Sequence, residues 1–334
     1  QGRTDSVRGH TRELSGMQAE HYRTIHQREN RLMNDKNLSI AIPTRNDDCS
    51  QTVSKLLEQA RRETSLDFEI LIADDASDNA EVIRQLNIIG NQEGCRLIRL
   101  KENVGRAAVR NMLAREAKYD KVLFIDAGVD INNQDFLKTY ILHANDADIV
   151  CGGWKTEVGA ETAKANLRAK YELDCEKNHT PLQRNKHPYR SFRTVNFLVH
   201  KDILLNNPFP ADMTGYGYED VVFGKQAEKA GCTVLHIDNP VVYKSYEDNE
   251  AFVSKTIQSV NTLYIYRERI GQYSKLHRIA FRLRKLRLDS LMVFLYKQRS
   301  ETWKKQLCGN CPSLRMLSLL KLGCYLSLLG NDVR

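Results

Sequence analysis

Carboxylate side chains stand at the ends of short apolar runs along this chain. Asp75 follows the run at residues 68–73, and Asp126 follows the run at residues 122–125. Asp220 comes later, after a turn rich in glycine and tyrosine. A carboxylate can accept hydrogen bonds, hold a divalent cation or remove a proton from an attacking hydroxyl. The three carboxylates therefore predict a site for ligand binding and acid–base chemistry, provided that the fold brings them together.

The first half of the chain alternates short apolar runs with segments of helical spacing. Such alternation predicts an α/β fold, in which helices flank a mainly parallel sheet. Ligands bind these sheets beyond the carboxyl ends of the strands. Polar residues follow the first, second, third and fourth runs, so we predict one site at that edge. The predicted strands cover residues 38–42, 68–73, 95–100, 122–125 and 149–150, and the predicted helices cover residues 53–60, 82–89, 106–117 and 136–144.

The pattern is looser after residue 155. Glu219 and Asp220 open a predicted helix, where negative charge interacts favourably with the helix dipole. That interaction is the structural alternative to a catalytic role for the two acids. The remaining predicted elements are helices at residues 160–177, 219–230 and 250–270 and strands at residues 192–200 and 234–242.

The composition is that of a folded protein with an uneven charge. Of the 334 residues, 41% are hydrophobic and 28% are charged. The net charge is +8, but residues 271–334 hold 13 Lys and Arg against 3 Asp and Glu, which gives +10 and leaves −2 elsewhere. This asymmetry indicates an anionic partner for the tail. With no run of 18 uncharged apolar residues and no signal-peptide pattern, we expect a cytoplasmic protein.

The tail contains two basic apolar stretches, at residues 279–296 and 314–329. Segments of this type can lie on an anionic membrane surface, so residues 275–330 are predicted to attach the protein to the inner face of the cell membrane. The alternative is a helical pair packed on the domain with a solvated basic face. No nucleic-acid-binding module is recognisable, and no nucleic acid is expected as a partner.

These patterns divide the chain into three parts. Residues 1–36 are a polar arm, residues 37–270 are the α/β domain, and residues 271–334 are a basic amphipathic helical tail. Within the domain, the looser pattern after residue 155 separates a first half at residues 37–153 from a second half at residues 154–270.

Six segments occur in an order that resembles family 2 glycosyltransferases. The first four are SIAIPTRN at residues 39–46, FEILIADDASD at 68–78, NVGRAAVRN at 103–111 and FIDAG at 124–128. GYGYED at residues 215–220 follows, and then NPVVY at 239–243 with Glu247, Phe252 and Lys255 behind it. The resemblance covers roughly residues 38–265 and implies a GT-A fold, in which a sugar is moved from a nucleotide-sugar donor to an acceptor hydroxyl.

The resemblance implies a nucleotide-binding half at residues 37–153, with a donor site at the strand ends, and an acceptor-binding half at residues 154–270. Asp75 would accept the N–H of the base, and an acceptor-only carboxylate suits a pyrimidine imide, which favours a UDP-sugar. The structural alternative is that residues 74–78 form a turn, with Ser77 or Asp78 as the cap of the next helix. Arg106 and Arg110 would contact phosphate or form structural ion pairs. The predicted nucleotide-sugar-binding residues are Pro43, Thr44, Asn46, Asp75, Asn103, Gly105, Arg110, Asp126, Ala127, Gly153 and Trp154.

Two departures from the family pattern affect the metal. Asp126 would be the first acid of an Asp-x-Asp motif, which holds Mn²⁺ or Mg²⁺ against the donor diphosphate. Gly128 replaces the second acid, and Tyr243 replaces a late histidine. Two hypotheses follow. Either Asp126 and Asp130 hold the cation weakly, or Lys244 and Arg193 replace it.

Asp220 is the predicted catalytic base of an inverting hexosyl transfer, and Glu219 is the alternative base or the residue that positions the acceptor. Trp154 would stack on a sugar or serve as core packing. Gly152 and Gly153 would let the backbone approach the donor sugar. The predicted acceptor is a glycan or lipid-linked glycan in polysaccharide or glycoconjugate biosynthesis. The competing hypothesis is a catalytically degenerate GT-A-like domain that binds nucleotide or glycan, since the second acid and the histidine are missing.

Overall fold

A computed structural model describes residues 37–63 and 66–331, so the predicted polar arm at residues 1–36 lies outside the described residues. A seven-stranded sheet in the order β3-β2-β1-β4-β7-β5-β8 forms its centre, and a separate pair joins β6 and β9. The seven strands are β1 Asn37–Thr44, β2 Asp67–Asp74, β3 Cys95–Arg99, β4 Lys121–Ile125, β5 Ile149–Cys151, β7 Asn196–His200 and β8 Val234–His236, and the pair is β6 Trp154–Thr156 and β9 Val241–Tyr243.

Alternate residues of the central strands supply two cores, one on each face of the sheet. Ile40 and Ile42 of β1 belong to one apolar cluster, while Ala41 between them belongs to the other. Since β1, β2 and β4 are buried on both faces, they read as continuous apolar runs. The parallel arrangement of the first four strands confirms the sequence prediction.

Four helices of the first half cover these faces, as predicted. The first core contains Leu56 and Phe136 from two of the helices, and the second contains Val109 and Leu113 from a third. The four helices are α1 Ser50–Arg62, α2 Ala80–Gly90, α3 Arg106–Glu116 and α4 Phe136–His143.

The second half departs from the prediction at three strands. β7 is antiparallel to both β4 and β5, which makes the sheet mixed. The predicted strand at residues 192–200 begins only at Asn196. The predicted strand at residues 234–242 is two strands in different sheets, because Asn239 and Pro240 interrupt it. β6, which pairs with β9, was not predicted.

Two predicted helices are also divided. The segment at residues 160–177 breaks at Asn166, whose extended backbone and side chain cap the second piece through the Ala169 amide. The segment at residues 250–270 breaks at Tyr266. The helices of this half are α5 Ala160–Ala165, α6 Leu167–Glu176, α7 Pro181–Asn185, α8 Pro188–Ser191, α9 Lys201–Asn206, α10 Glu219–Lys229, α11 Asn249–Ile265 and α12 Arg267–Ile270.

A layer of three helices completes the structure: α13 Lys275–Lys285, α14 Asp289–Cys308 and α15 Leu314–Asn331. Val222 of α10 shares an apolar cluster with Ala280 and Tyr325 of this layer. The layer therefore packs directly on the segment that carries Glu219 and Asp220. In residues 37–63 and 66–331, each helix falls short of the length and apolarity that a membrane-spanning segment needs.

Candidate active site

Neighbouring strand ends bring the first predicted site residues together. Thr44 and Asp74 are register partners at the ends of β1 and β2, and the Asp75 amide donates to the Thr44 carbonyl over 2.9 Å. The Thr44 hydroxyl donates to the Asp47 carbonyl over 2.7 Å. Adjacent parallel strands thus place two consecutive polar loops side by side, as expected for this edge of the sheet.

The two acids of the Asp74-Asp75 pair have different hydrogen-bond partners. Asp74 is fully buried and accepts bonds from the Ser77 amide and from Arg99 Nε, at 2.9 and 3.0 Å. Asp75 accepts the Val104 amide on Oδ1 at 2.7 Å and the Gly105 amide on Oδ2 at 3.0 Å. Because a carboxylate has about four lone-pair positions, each Asp75 oxygen keeps capacity for another donor.

Asn46 joins the first loop to the second. Its backbone is left-handed (φ 56°), its amide donates to Ser77 Oγ over 2.8 Å, and its side chain exchanges bonds with Asp78. The cap of α2 is Asn79, which accepts the Glu81 and Val82 amides, and not Ser77 or Asp78 as predicted.

The first two turns of α3 connect three parts of the site. Gly105, which caps α3 at φ +89°, donates to Asp75. The Arg106 guanidinium lies 5.2 Å from the centre of the Tyr216 ring. Partial burial lowers the pKa of Arg106, but Tyr216, Asp126 and Glu219 together raise it above its usual value. The N-terminus of α3 thus reaches Asp75, Asp126 and Tyr216 in the turn before α10.

One turn later, Arg110 fixes Asp126. Arg110 is 2% exposed and donates from Nη2 to Asp126 Oδ1 over 2.7 Å. Its Nε and Nη1 are buried without a partner among the described residues. A buried guanidinium depends on its counter-ion, because desolvation is costly. Arg110 therefore forms the structural ion pair that was one of its two predicted roles, and it leaves Asp126 one-third exposed at 33%.

Asp126 is linked in turn to Asp220. The Asp126 amide donates to the Val195 carbonyl over 3.0 Å, where β7 begins beside β4. Two residues earlier, Arg193 Nη1 lies 3.3 Å from Asp220 Oδ2. The Asp220 side chain is 19% exposed. Asp75, Asp126 and Asp220 therefore border one region and do not lie in separate parts of the molecule.

The turn before α10 needs its glycines. Gly215 has φ +105°, and a Cβ there would lie 2.4 Å from the Thr262 hydroxyl. Tyr218, which precedes the two acids, also has a positive φ of 71°. Burial raises the pKa of Tyr218, and its hydroxyl is within hydrogen-bonding reach of Ser259 and Ser274. Ser274 caps α13, so the C-terminal layer touches the residue next to Glu219.

A sequence profile matches the same stretch of chain. The family described as "Glycosyl transferase family 2" matches residues 39–203, which include Asp75 and Asp126. Residues 39–203 belong to glycosyl transferase family 2.

Two curated relatives match parts of this chain. Chondroitin synthase of Pasteurella multocida (strain Pm70) is 27% identical over 288 residues, which cover 72% of this chain and 29% of the relative. An uncharacterized glycosyltransferase of Haemophilus influenzae (strain ATCC 51907 / DSM 11121 / KW20 / Rd) is 37% identical over 89 residues, covering 27% of this chain and 28% of the relative. The chain thus spans under a third of each of these two proteins.

Among solved structures, the chain resembles mannosyltransferase PcManGT from Pyrobaculum calidifontis, determined in complex with GDP-Man and Mn²⁺. The TM-score is 0.56 at 12% identity, covering 89% of this chain and 86% of that one. This likeness confirms the predicted GT-A fold.

Asp130 of the family 2 segment is an ion-pair residue in this structure. Its two carboxylate oxygens lie 2.6 Å from Lys55 Nζ and 2.6 Å from Lys244 Nζ. The two ammonium groups lower the pKa of Asp130 against the effect of burial. Asp130 and Lys244 neutralise each other, which argues against the predicted use of Asp130 as a metal ligand and of Lys244 as a phosphate partner.

Another acid, which the sequence reasoning missed, lies beside the glycine of the motif. A Cβ on Gly128 would lie 3.9 Å from Asp47 Oδ2. The pKa of Asp47 is raised by partial burial, and Asp126 adds to that effect while Arg106 opposes it. Asp47 therefore approaches the place from which the family's second acid would project. Its only signal in the sequence was its position in the polar run after the first strand.

Tyr243 also faces this region. Burial raises the pKa of Tyr243, and the Asp126 and Glu172 carboxylates add to the increase. Glu172, another residue that was not predicted, is buried and pairs with Arg168 over 2.6 Å. Across the region, Lys255 forms an ion pair with Glu247. No group of three metal-ligating His, Cys, Asp or Glu side chains occurs within residues 37–63 and 66–331.

Close packing explains the Gly152-Gly153 pair. A Cβ on Gly152 would lie 2.2 Å from the Asn239 carbonyl, and one on Gly153 would lie 2.8 Å from the Arg184 guanidinium. The close approach made by these glycines is to the protein's own groups. Trp154 packs on the core and lies 4.1 Å, between ring centres, from His179, which is the predicted packing role.

Proposed function

We propose that this chain transfers a sugar from a nucleotide-diphosphate sugar to an acceptor hydroxyl with inversion at the anomeric carbon. One observation carries the proposal: the first two turns of α3 contact Asp75, Asp126 and the turn before Asp220. A donor with its base at Asp75 and its diphosphate near Asp126 would direct its sugar toward Asp220. Residues 37–153 would serve the donor and residues 154–270 the acceptor.

The donor we propose is a UDP-sugar. Asp75 is held by two backbone amides and keeps free lone pairs, so it can accept the imide N–H of uracil without moving. Guanine also presents N–H donors to a carboxylate, and PcManGT was solved with GDP-Man. GDP-sugars are therefore the competitor that the experiment must include. Pro43, Thr44, Asn46 and Asn103 would border the base and ribose.

A divalent cation fits the acids at the diphosphate position. Mg²⁺ typically uses one or two carboxylates together with substrate phosphates, and Asp126 and Asp47 provide such a pair. The cation would supply positive charge against the departing diphosphate. Arg106 would add charge from the same side, and Ala127 would contact the donor through its backbone.

Asp220 is the proposed general base. Its side chain is 19% exposed, and Arg193 keeps it close to the end of β4. An ionised carboxylate at this position can take the proton as the acceptor oxygen attacks. Glu219 would then position the acceptor.

The proposed acceptor is a glycan, free or lipid-linked, in polysaccharide or glycoconjugate biosynthesis in the cytoplasm. Chondroitin synthase, which is similar over 72% of this chain, motivates the glycan class. Because this chain spans only 29% of that relative, its complete activity is not carried over.

The test is nucleotide release by the full chain with UDP- and GDP-sugars and simple saccharide acceptors. We expect acceptor-dependent UDP release and a UDP-induced rise of the melting temperature. Manganese binding to the UDP complex, followed by electron paramagnetic resonance, should weaken in Asp47→Asn and remain in Asp202→Asn, an exposed acid on α9. UDP binding without release for any acceptor would favour the degenerate domain, and preference for GDP would overturn the donor assignment.

A further inference from the structure

The turn between α13 and α14 exposes an apolar surface surrounded by cations. We call it the basic tip, and it comprises residues 278–299. Phe281 is 64% exposed and Leu286 is 66% exposed, and several exposed apolar side chains in one segment, unlike an isolated one, indicate an interaction site. The exposed apolar side chains of the tip are Ile279, Phe281, Leu286, Leu288, Leu291, Phe294 and Leu295.

The exposed apolar residues of α14 are not needed for its packing. Leu291, Phe294 and Leu295 have the spacing i, i+3 and i+4, which places them on one face of a helix. Met292, Val293 and Tyr296 lie on the other side of α14 and pack into the apolar cluster of the C-terminal layer. The helix is thus apolar on two faces, and only one of them is used within the described residues.

The cations of the tip have no anionic partners among residues 37–63 and 66–331. No carboxylate of that part lies within ion-pair distance of Arg282, Arg284, Lys285 or Arg287. Between residues 275 and 299 the sequence holds eight Lys and Arg and a single acid, Asp289. Unneutralised charge of one sign beside exposed apolar groups indicates an extended anionic surface with an apolar interior.

The second apolar stretch of the tail differs from the first. Leu317, Leu320 and Tyr325 of α15 are buried at 3%, 0% and 0% exposure. α15 therefore packs on the domain, which was the alternative to membrane contact. The membrane-facing part of the predicted segment 275–330 narrows to the basic tip.

We propose that the basic tip docks on the surface of an anionic lipid bilayer. Phe281, Leu286 and Leu291 would enter the boundary between headgroups and acyl chains, and the flanking cations would bind lipid phosphates. A second copy of the chain would offer the same positive charge, so a homodimer through this surface would bring like charges together. Charge complementarity favours the lipid.

Docking would also place the active site near the bilayer. The cap of α13, Ser274, lies within reach of the Tyr218 hydroxyl beside Glu219, and the helix ends in the tip. Its 11 residues span about 16 Å. An acceptor carried on a lipid would therefore be within a few turns of helix of Asp220. The docking itself does not depend on which sugar is transferred.

The experiment is sedimentation of the full chain with vesicles of phosphatidylcholine alone or mixed with phosphatidylglycerol. We expect binding only to the anionic vesicles, weakening as salt is raised. Replacing Arg282, Arg284, Lys285 and Arg287 with Gln should weaken binding on the order of 100-fold or more, since each basic residue near such a surface changes affinity several-fold. Replacing Leu291, Phe294 and Leu295 with Ser should weaken it further at high salt.

A charge-matched control separates the tip from net charge. Lys164, Lys177, Lys186 and Lys229 are exposed elsewhere, and changing all four to Gln removes the same charge. Thermal melting and UDP binding in solution verify that each variant is folded. The proposal is overturned if the full chain stays in solution, binds neutral vesicles equally or is weakened as much by the control set. A dimer that the tip variants dissociate, without vesicle binding, would assign the surface to a second copy. Vesicle binding needs no turnover, so its outcome is separate from that of the proposed transfer.

Discussion

The proposed donor side and the proposed catalytic side of this site are held in different ways. On the donor side, Asp75 and Asn46 are fixed by hydrogen bonds between loops that follow neighbouring strands. On the catalytic side, Asp220 follows a left-handed turn whose position depends on Arg193 and on contacts of Tyr218 with later helices. The proposed donor pocket is therefore built by the sheet, whereas Glu219 and Asp220 are positioned by elements outside it.

This comparison predicts that damage on the catalytic side changes turnover and leaves donor binding intact. Asp220→Asn should lower kcat by about 10²- to 10⁴-fold, the usual contribution of a general base. The UDP dissociation constant, measured by calorimetry, should stay the same. Glu219→Gln is the matched variant, with a smaller expected loss. If kcat falls more in Glu219→Gln than in Asp220→Asn, the roles of the two acids are exchanged.

Substitutions on the proposed donor side should weaken UDP binding and lower stability. Asp75→Ala removes the acceptor for the Val104 and Gly105 amides, and each unsatisfied amide costs about 1–3 kcal/mol. We expect a lower melting temperature and UDP affinity weakened by a factor of about 10 or more. Asp75→Asn keeps one carbonyl acceptor, so its melting temperature and its UDP affinity should lie between those of Asp75→Ala and wild type. Unchanged UDP affinity in Asp75→Ala would remove Asp75 from the donor site.

A smaller effect tests the support of the catalytic turn. Tyr218→Phe keeps the ring in its cluster but removes the hydroxyl that faces Ser259 and Ser274. One hydrogen bond contributes about 1 kcal/mol, so kcat should fall about 5-fold while UDP binding is unchanged. Ser274→Ala should have a similar effect, and the double variant should lose less than the sum of the two. Full additivity would contradict a shared contact.

The smallest effect concerns pH and β8, the edge strand farthest from the proposed donor side. His236 is 2% exposed, accepts Arg184 Nη1 on Nδ1 at 3.0 Å and donates from Nε2 to the Pro188 carbonyl at 2.9 Å. Burial lowers its pKa from 6.5 to about 4. Between these values the unfolded chain binds the proton and the folded chain does not.

The free energy of unfolding should therefore decrease as pH falls from about 6.5 to about 4, by about 1.4 kcal/mol per pH unit for this group. Chemical denaturation of wild type and His236→Gln across this range measures the difference in slope. His187→Gln changes an exposed histidine and should leave the slope unchanged. Equal slopes in all three proteins would contradict the assignment.

The sequence predicted the parts of the site that depend on local pattern. Apolar runs ending in Asp75 and Asp126 marked parallel strands, and parallel strands share an edge, so the convergence of these acids followed. The motif at residues 215–220 supplied the third acid only through family resemblance. The α/β architecture and the flanking helices of the first half were predicted for the same local reason.

The features that the sequence did not predict depend on nonlocal contacts. The neutralisation of Asp130 by Lys55 and Lys244 joins residues 75 and 114 positions apart, which no local pattern reports. Asp47 approaches Gly128 because the Asn46 backbone turns left-handed. The second sheet formed by β6 and β9 exists because two three-residue segments meet across a long intervening chain.

The apolar cluster that joins Val222 with Ile270, Ala280 and Tyr325 packs the C-terminal layer against α10, the helix that begins with the proposed catalytic acids. A protease cut within residues 271–313 would separate the last helices from the domain, so that α10 would lose its packing contacts with them. The turn before Glu219 would then be less well fixed. Unfolding of the last helices and loss of the proposed transfer activity would then be a single cooperative event. A fragment ending at residue 270 would keep every acid of the site and lose the framework that aims Asp220.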